Sequence, residues 1–355
     1  MNRHEIKAVA TLLEALQRLN CLPGTAMTLF AVDEGRKVVG SLTDGDIRRA
    51  LISGASLSDS VVSACHKSFR RVDAGAIDPA DLRRFRNEGI SLVPVLDAEG
   101  RLVDTLDLSR QHTVLPLAAI LMAGGKGERL RPATLTTPKP LLKIEGKAII
   151  DYNIEALAAC GISDITVATG YLAEQVHEHF SRPVAGVNVK CHREQQPLGT
   201  IGAVAEMGVA ETGDTIVMNS DLITTVSFED MYLRHRETRA DITIAVIPYQ
   251  VSVPYAILTL NPDDTDAVAS IEEKPSYSYY ANAGIYIISN ALLRTLPKGR
   301  RTDATDLVEQ AIARGSRVTY YTIRGTWIDV GSPVDFRQAA ELMRHHRAME
   351  NIPQQ

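Results

Sequence analysis

The run Leu117-Ala-Ala-Ile-Leu-Met122 is apolar throughout and passes directly into Ala123-Gly-Gly-Lys-Gly-Glu-Arg-Leu-Arg-Pro132, with Pro138-Lys-Pro-Leu-Leu142 shortly after. A short apolar run ending at a glycine turn reads as a strand covered on both faces, as in parallel sheets. Gly124, Gly125 and Gly127 let the chain turn tightly and approach a ligand with no Cβ in the way. Successive amides in such a turn make a nest for phosphate oxygens, and Arg129, Arg131 and Lys139 add positive charge. A cradle of this kind at a strand's carboxyl end restricts the fold, because that is where open α/β sheets bind ligands. Ala123, Gly124, Gly125 and Gly127 are therefore candidate nucleotide-binding residues. No Gly-Lys-Ser/Thr follows, so this is not the P-loop, and the glycine spacing misses the dinucleotide fingerprint.

These residues resemble the signature of the sugar-1-phosphate nucleotidyltransferases, or NDP-sugar pyrophosphorylases: a strand, Gly-Gly-x-Gly-x-Arg-Leu, then Pro-Lys-Pro. The resemblance runs from about Pro116 to the end of the chain. It implies a Rossmann-like doubly wound mixed α/β sheet. It also implies a reaction in which a nucleoside triphosphate (NTP) and a sugar 1-phosphate give NDP-sugar and pyrophosphate, for surface-glycan precursors. The alternation of apolar runs with helical patterns fits such a sheet. Helical patterns fall at 147–160, 198–207, 227–240, 304–314 and 333–349, and strand runs at 165–168, 215–218, 242–247 and 285–288. Runs at 255–260 and 267–271 flank an Asn-Pro-Asp-Asp turn and read as a hairpin.

Asp221 sits in Val217-Met-Asn-Ser-Asp-Leu222, just after the apolar strand run at 215–218, and Asp329 sits in Trp327-Ile-Asp-Val-Gly331. Magnesium takes hard oxygen ligands and needs only one or two carboxylates when phosphates supply the rest. By resemblance this is the family's metal pair, with Mg2+ as cofactor; a bare capping role is the alternative for each. Arg129, Lys139 and Lys274 would be the catalytic cations, Lys139 held between two prolines that restrict the backbone. The resemblance further assigns Glu272, Asn282 and Gly284 to the sugar. Gln196, Gly199 and Thr200, in Gln196-Pro-Leu-Gly-Thr-Ile-Gly202, would approach the base, with Gln195 as a second candidate. The Leu-Gly-Thr-x-Gly form resembles guanylyl- and some adenylyl-transferring members, a resemblance that favours GTP, and Thr200 is equally suited to cap a helix. One residue departs from the pattern: Glu128 stands where the family usually has Thr. A carboxylate beside a triphosphate costs Coulomb energy unless a cation such as Lys126, Arg129 or Arg131 answers it.

Residues 1–112 read as two copies of one unit of strand, Asp/Gly turn, strand and helix start, at 30–51 and 93–109, each preceded by a helical pattern at 5–19 and 79–88. This doubling resembles a tandem CBS pair, a small α+β regulatory domain. The resemblance puts an adenine nucleotide on Thr43 and Asp46, while the second copy has Asp107 and Arg110 there. Capping of the following helix explains Thr43 and Asp46 equally well. Residues 113–116 form the expected linker, and 117–355 the catalytic domain.

The first 115 residues hold 15 basic and 15 acidic side chains, leaving 23 and 28 of the chain's 38 and 43 for the rest. Neither part is basic enough for nucleic acid. No apolar run is long enough for a membrane span or a signal peptide. Cys21, Cys65, Cys160 and Cys191 lack metal-ligand spacing and read as reduced, buried thiols of a cytoplasmic protein. His177 and His179, two apart, would point from different sides of a helix, against a histidine metal site. CBS pairs commonly associate, so a homo-oligomer is expected. The rival reading is an inactive transferase domain that senses nucleotide or sugar phosphate. Hexose, heptose and aminohexose 1-phosphates, glucosamine included, demand similar hydroxyl acceptors.

Overall fold

A computed structural model of the chain describes residues 2–23 and 26–350. The contacts divide it into two units, Met1–Leu115 with Ala159–Gly161, and Pro116–Ala158 with Ile162–Gln355.

The first unit contains two halves with the same β-α-β-β order and strand pairing, the first of which continues into a further helix. In the first half, β1 (Glu5–Lys7), α1 (Leu12–Asn20), β2 (Thr28–Val32), β3 (Val38–Thr43) and α2 (Asp44–Ile52) follow one another. The second half has β4 (Val72–Asp73), α3 (Pro79–Asn87), β5 (Leu92–Leu96) and β6 (Leu102–Asp107). In each three-stranded sheet the middle strand pairs parallel with the first and antiparallel with the last. Leu12, Leu29, Leu42 and Ile47 fill one half-core, and Leu82, Phe85, Val93 and Val95 the other. Phe30 joins Leu92, Leu96 and Leu102 in a cluster shared by both halves.

The helix expected over 5–19 begins only at Leu12. Thr11 and Glu14 form a reciprocal capping box there, and Glu5–Lys7 pairs with Phe30–Val32 as a strand instead. Of the four cysteines, all free, Cys21 is exposed and the other three are half-buried, which corrects the expectation that they lie inside.

In the second unit β7 (Leu117–Ala123) leads to a small pair, β8 (Lys143–Ile144) and β9 (Lys147–Ala148), then α4 (Ile149–Ala159), β10 (Ile165–Thr169), α5 (Ala173–His179) and β11 (Lys190–Arg193). Next come α6 (Val204–Met207), β12 (Asp214–Asn219), β13 (Leu222–Thr224), α7 (Phe228–Thr238), β14 (Ile242–Ser252), β15 (Ile257–Asn261) and β16 (Asp264–Glu272). The last elements are β17 (Ser276–Ser289), α8 (Asn290–Leu293), α9 (Ala304–Ala313), β18 (Val318–Thr322), β19 (Trp327–Asp329) and α10 (Pro333–Glu350). Seven strands form the main sheet in the order β11-β10-β7-β12-β17-β14-β18. It is mixed: β17 runs antiparallel to β12 and β14, and the other four pairings are parallel. Ile120, Val217 and Ile288 pack one face against Leu293, Leu307 and Ala311 of the helical layer. The expected hairpin is present as β15 and β16.

The helix expected over 198–207 is confined to Val204–Met207. Gly199 has a φ of +83°, incompatible with an α-helix, and the chain from Leu198 to Gly202 is tied to Thr302 instead. Among the described residues no helix is long and apolar enough to cross a membrane.

Candidate active site

β7 and β12 are parallel neighbours, and the loops leaving their carboxyl ends face each other. A cleft of about 670 Å³ lies between these loops. Ala123, Gly124, Gly125, Gly127, Arg129, Lys139, Gly199, Thr200, Asp221 and Asp329, all expected at the site, line it. A second cleft of about 510 Å³ adjoins it, contains Asn282 and Gly284, and shares Met122, Thr200, Asn219, Arg301 and Asp329 with the first. The arrangement is two clefts with one common wall.

The two aspartates meet for a reason local to the sheet edge. β13 and β19 form a two-stranded antiparallel pair in which Leu222 faces Asp329, and Val330 N–H donates to the Asp221 carbonyl at 3.1 Å. From beneath, the buried Asn153 on α4 donates its Nδ2 to the Leu222 carbonyl at 2.9 Å. Ser220 Oγ donates to the Met122 carbonyl at 2.7 Å, which fastens the Asp221 loop to the end of β7. Lys139 is only 9% exposed, and its Nζ donates to Asp221 Oδ2 and, at 3.5 Å, to Asp329 Oδ1. The other oxygen, Asp221 Oδ1, is buried with no hydrogen-bond partner. Burial pushes the Asp329 carboxyl above its ordinary range, as does the Asp221 charge, against the pull of Lys139 and Arg129.

An orphaned buried carboxylate oxygen beside a second carboxylate fits a hard divalent cation that takes its remaining ligands from phosphate and water. Among the described residues no three His, Cys, Asp or Glu side chains converge on one point, so a metal cage made wholly of protein is not offered there. His177 and His179 are engaged separately, by Thr169 Oγ1 at 3.0 Å and Asp151 Oδ1 at 2.7 Å.

Arg129 lies in the turn after Gly127, and its guanidinium covers Gly331, where an added Cβ would sit 2.9 Å from Nη2. The Glu128 carboxylate on the rim of the cleft accepts from Arg131 Nη2 at 3.2 Å, which answers its charge locally. Thr200 does cap a helix, but a distant one: its Oγ1 accepts from the N–H of Ala304, the first residue of α9, at 2.8 Å. Asn282 is held by its own strand, donating to Tyr286 Oη at 2.6 Å and accepting from Gly284 N–H at 2.9 Å. Gly284 has a φ of +69°, and a Cβ there would meet Asn219 Nδ2 at 2.5 Å, so the wall of the second cleft requires glycine.

Three expected residues lie apart from both clefts. Gln196 is exposed and donates Nε2 to the Gly299 carbonyl at 3.2 Å. Glu272 ends β16, exposed and opposite Ile257, and Lys274 is in the turn after it with a φ of 47°. Conversely, sequence reasoning passed over Glu194 and Arg301. Glu194 lines the first cleft, accepts from Leu198 N–H at 3.2 Å, and has its carboxyl pushed up chiefly by burial. Arg301 is an exposed cation on the wall common to both clefts, 3.6 Å from Asp303.

In the first unit, Thr43 and Asp46 form a reciprocal capping box at the start of α2. The Asp46 carboxyl is lowered overall: burial would raise it, but hydrogen bonds from Thr43 and the charge of Arg49 outweigh that. Thr43 also borders a cleft of about 600 Å³ with Phe30, Phe69 and Arg70.

The sequence profile of the nucleotidyl transferase family matches residues 118–346. The mannose-1-phosphate guanyltransferase of Schizosaccharomyces pombe is 32% identical over 227 residues, 62% of each chain. The mannose-1-phosphate guanylyltransferase of Mycobacterium tuberculosis is 32% identical over 233 residues, 64% of each chain. The match thus spans less than two thirds of these relatives' own length. The crystal structure of HddC from Yersinia pseudotuberculosis superposes with a TM-score of 0.51 at 24% identity, covering 64% of this chain and 99% of that one, a likeness of fold.

Proposed function

The chain belongs to the nucleotidyl transferase family, and we propose that it transfers a guanylyl group from GTP to a sugar 1-phosphate, releasing pyrophosphate. The observation that carries this reading is the pairing of a glycine-loop cleft with a second cleft across one wall that bears Asp329 and Arg301. The relatives named as mannose-1-phosphate guanylyltransferases support GTP, and they make mannose 1-phosphate the first sugar to try. Heptose and aminohexose 1-phosphates, glucosamine included, follow on the same grounds of hydroxyl recognition. Glu194, a half-buried carboxylate lining the first cleft, would suit guanine, whose N1–H and N2–H edge offers two donors that adenine lacks.

In the reaction a phosphate oxygen of the sugar 1-phosphate attacks the α-phosphorus in line. The new P–O bond forms as the bond to the β-phosphate oxygen breaks, and its electron pair leaves on pyrophosphate. The attacking oxygen is already anionic, so no protein base is needed. The chain contributes position and charge. The amides from Gly124 to Gly127 and the Arg129 guanidinium receive the departing phosphates. Lys139 neutralises phosphate from the other side of the loop. Asp221 and Asp329 would hold a magnesium ion, which supplies further neutralisation of the phosphate oxygens when bound.

Lys274 is exposed and outside both clefts, so the cation we assign to the sugar phosphate is Arg301. Arg301→Ala is expected to raise KM for the sugar 1-phosphate about tenfold or more, the scale of one charge-assisted contact. Steady-state kinetics with each substrate varied in turn check this; a rise confined to KM for GTP would move Arg301 to the nucleotide.

For the first unit we infer a tandem CBS pair, supported by the shared β-α-β-β order and strand pairing of its two halves. An adenine nucleotide is proposed for the cleft bordered by Phe30, Thr43, Phe69 and Arg70, with Asp46 occupied in its cap. Arg70→Ala should weaken AMP binding about tenfold in calorimetry, as expected for a lost charge-assisted phosphate contact. Equal binding by both proteins would place the nucleotide elsewhere.

A further inference from the structure

The space between the two catalytic-cleft carboxylates is held by a cation that belongs to the chain. We propose that Lys139 is a place-holder for the divalent ion: its ammonium keeps Asp221 and Asp329 together, excludes metal from the nucleotide-free protein, and passes to phosphate when nucleotide arrives. The inference rests on the nucleotidyl-transfer reading of this cleft.

Four observations carry it. Lys139 Nζ donates to a carboxylate oxygen of each aspartate, residues that are 82 and 190 positions away in the sequence. The lysine is 9% exposed, so its charge is largely removed from water and depends on those partners. One oxygen of Asp221 is taken by the ammonium while the other, Oδ1, is buried with no partner at all. The glycine loop lines the same cleft, and an added Cβ at Gly127 would touch Lys139 Cβ at 3.0 Å.

Two carboxylates and one ammonium leave the trio with a single negative charge. A divalent ion added beside that ammonium meets repulsion at short range in a partly dry site. Metal therefore loads only if the ammonium withdraws, and a withdrawn buried ammonium needs another anion. The triphosphate is that anion. Once Lys139 faces phosphate, the carboxylate oxygens it held are free for the metal and no charge is left unpaired. Metal and nucleotide binding are then coupled, each favouring the other by the same factor. Lys139 acts here as a positioning residue before it acts as a phosphate ligand.

The test is Mn2+ binding to nucleotide-free protein, followed by loss of the free-ion electron paramagnetic resonance signal. Wild type, Lys139→Met and the double variant Lys139→Met/Asp221→Asn are compared. Lys139→Met is expected to bind Mn2+ at least about tenfold more tightly than wild type, within the usual range of coupling between sites. The gain should vanish in the double variant. Affinity for Mn2+ that is unchanged or lower in Lys139→Met overturns the proposal, as does a gain that survives Asp221→Asn. If Lys139→Met does not fold, Lys139→Gln takes its place. Its melting temperature should then rise with Mn2+ more than that of wild type, and equal shifts overturn the proposal. Neither measurement uses substrate. A protein that fails every turnover assay yet shows the Mn2+ gain would refute the transferase reading and leave the place-holder standing, and the converse result would do the opposite.

Discussion

Asp221→Ala is expected to lower the rate of pyrophosphate release by about 10³-fold or more, comparable to the loss of a principal electrostatic stabiliser in other active sites. The side chain contributes one oxygen to Lys139 and keeps a second, buried and unpartnered. Alanine removes both. It strands the buried Lys139 against Asp329 alone and leaves any cation in the cleft with one carboxylate. The backbone around it is held independently by Asn153 and Ser220, so the loop should keep its place. Circular dichroism and a melting curve establish that the variant is folded before turnover is measured. Asp329→Ala should behave alike, since the β13–β19 pairing brings Asp329 to Asp221 and Lys139 bonds both. A folded Asp221→Ala protein with ordinary turnover would remove the carboxylate pair from the mechanism.

Leu121→Ala is expected to cost about 2–5 kcal/mol of stability, the range for a large aliphatic side chain cut back in a packed interior. Leu121 is 0% exposed on β7, which is flanked by β10 and β12 within the main sheet. Its neighbour Met122 points the other way, because successive strand residues alternate faces, and lines both clefts. The contrast makes the prediction specific. Leu121→Ala should lower the denaturation midpoint and leave the KM values of the surviving folded protein near wild type. Met122→Ala, which trims a side chain packed against the core and lining both clefts, should cost less stability than Leu121→Ala and raise the KM values. Urea titrations with matched kinetics measure both, and a Met122→Ala variant that loses more stability than Leu121→Ala would contradict the placement of these two side chains.

The cleft was legible in the sequence where its chemistry is local. A strand ending in Gly124-Gly125-Lys126-Gly127 announces a phosphate loop by itself, and Asp221 and Asp329 each follow apolar strand residues at recognisable turns. What joins residues far apart was not legible. The contacts of Lys139 span 82 and 190 positions, and no spacing rule encodes them. Thr200 looked like the cap of the helix after it, yet it caps α9, 104 positions on, because Gly199 turns the chain towards Thr302 first. Glu5–Lys7 carried a helical pattern, but three residues beside β2 gain a strand's hydrogen bonds, while the Thr11–Glu14 box starts the helix later. Glu194 was hidden among polar neighbours; only burial distinguishes it from Gln195 and Gln196. The sheet's mixed character was anticipated, but the length of β14 and β17 was not. Their ends, Tyr249-Gln-Val-Ser252 and Ser276-Tyr-Ser-Tyr279, alternate over only four residues each and are exposed, so the pattern was too short to stand out beside the apolar runs.

The central claim is tested most directly by measuring pyrophosphate release from each of the four NTPs against a panel of sugar 1-phosphates with magnesium present. Mannose, glucose, a heptose and glucosamine make up the panel. The account predicts release that depends on the sugar 1-phosphate, with GTP preferred over the other three nucleotides. Release that ignores the sugar, or none across the whole matrix from a folded protein that still binds GTP, would contradict it and make the cleft a sensor.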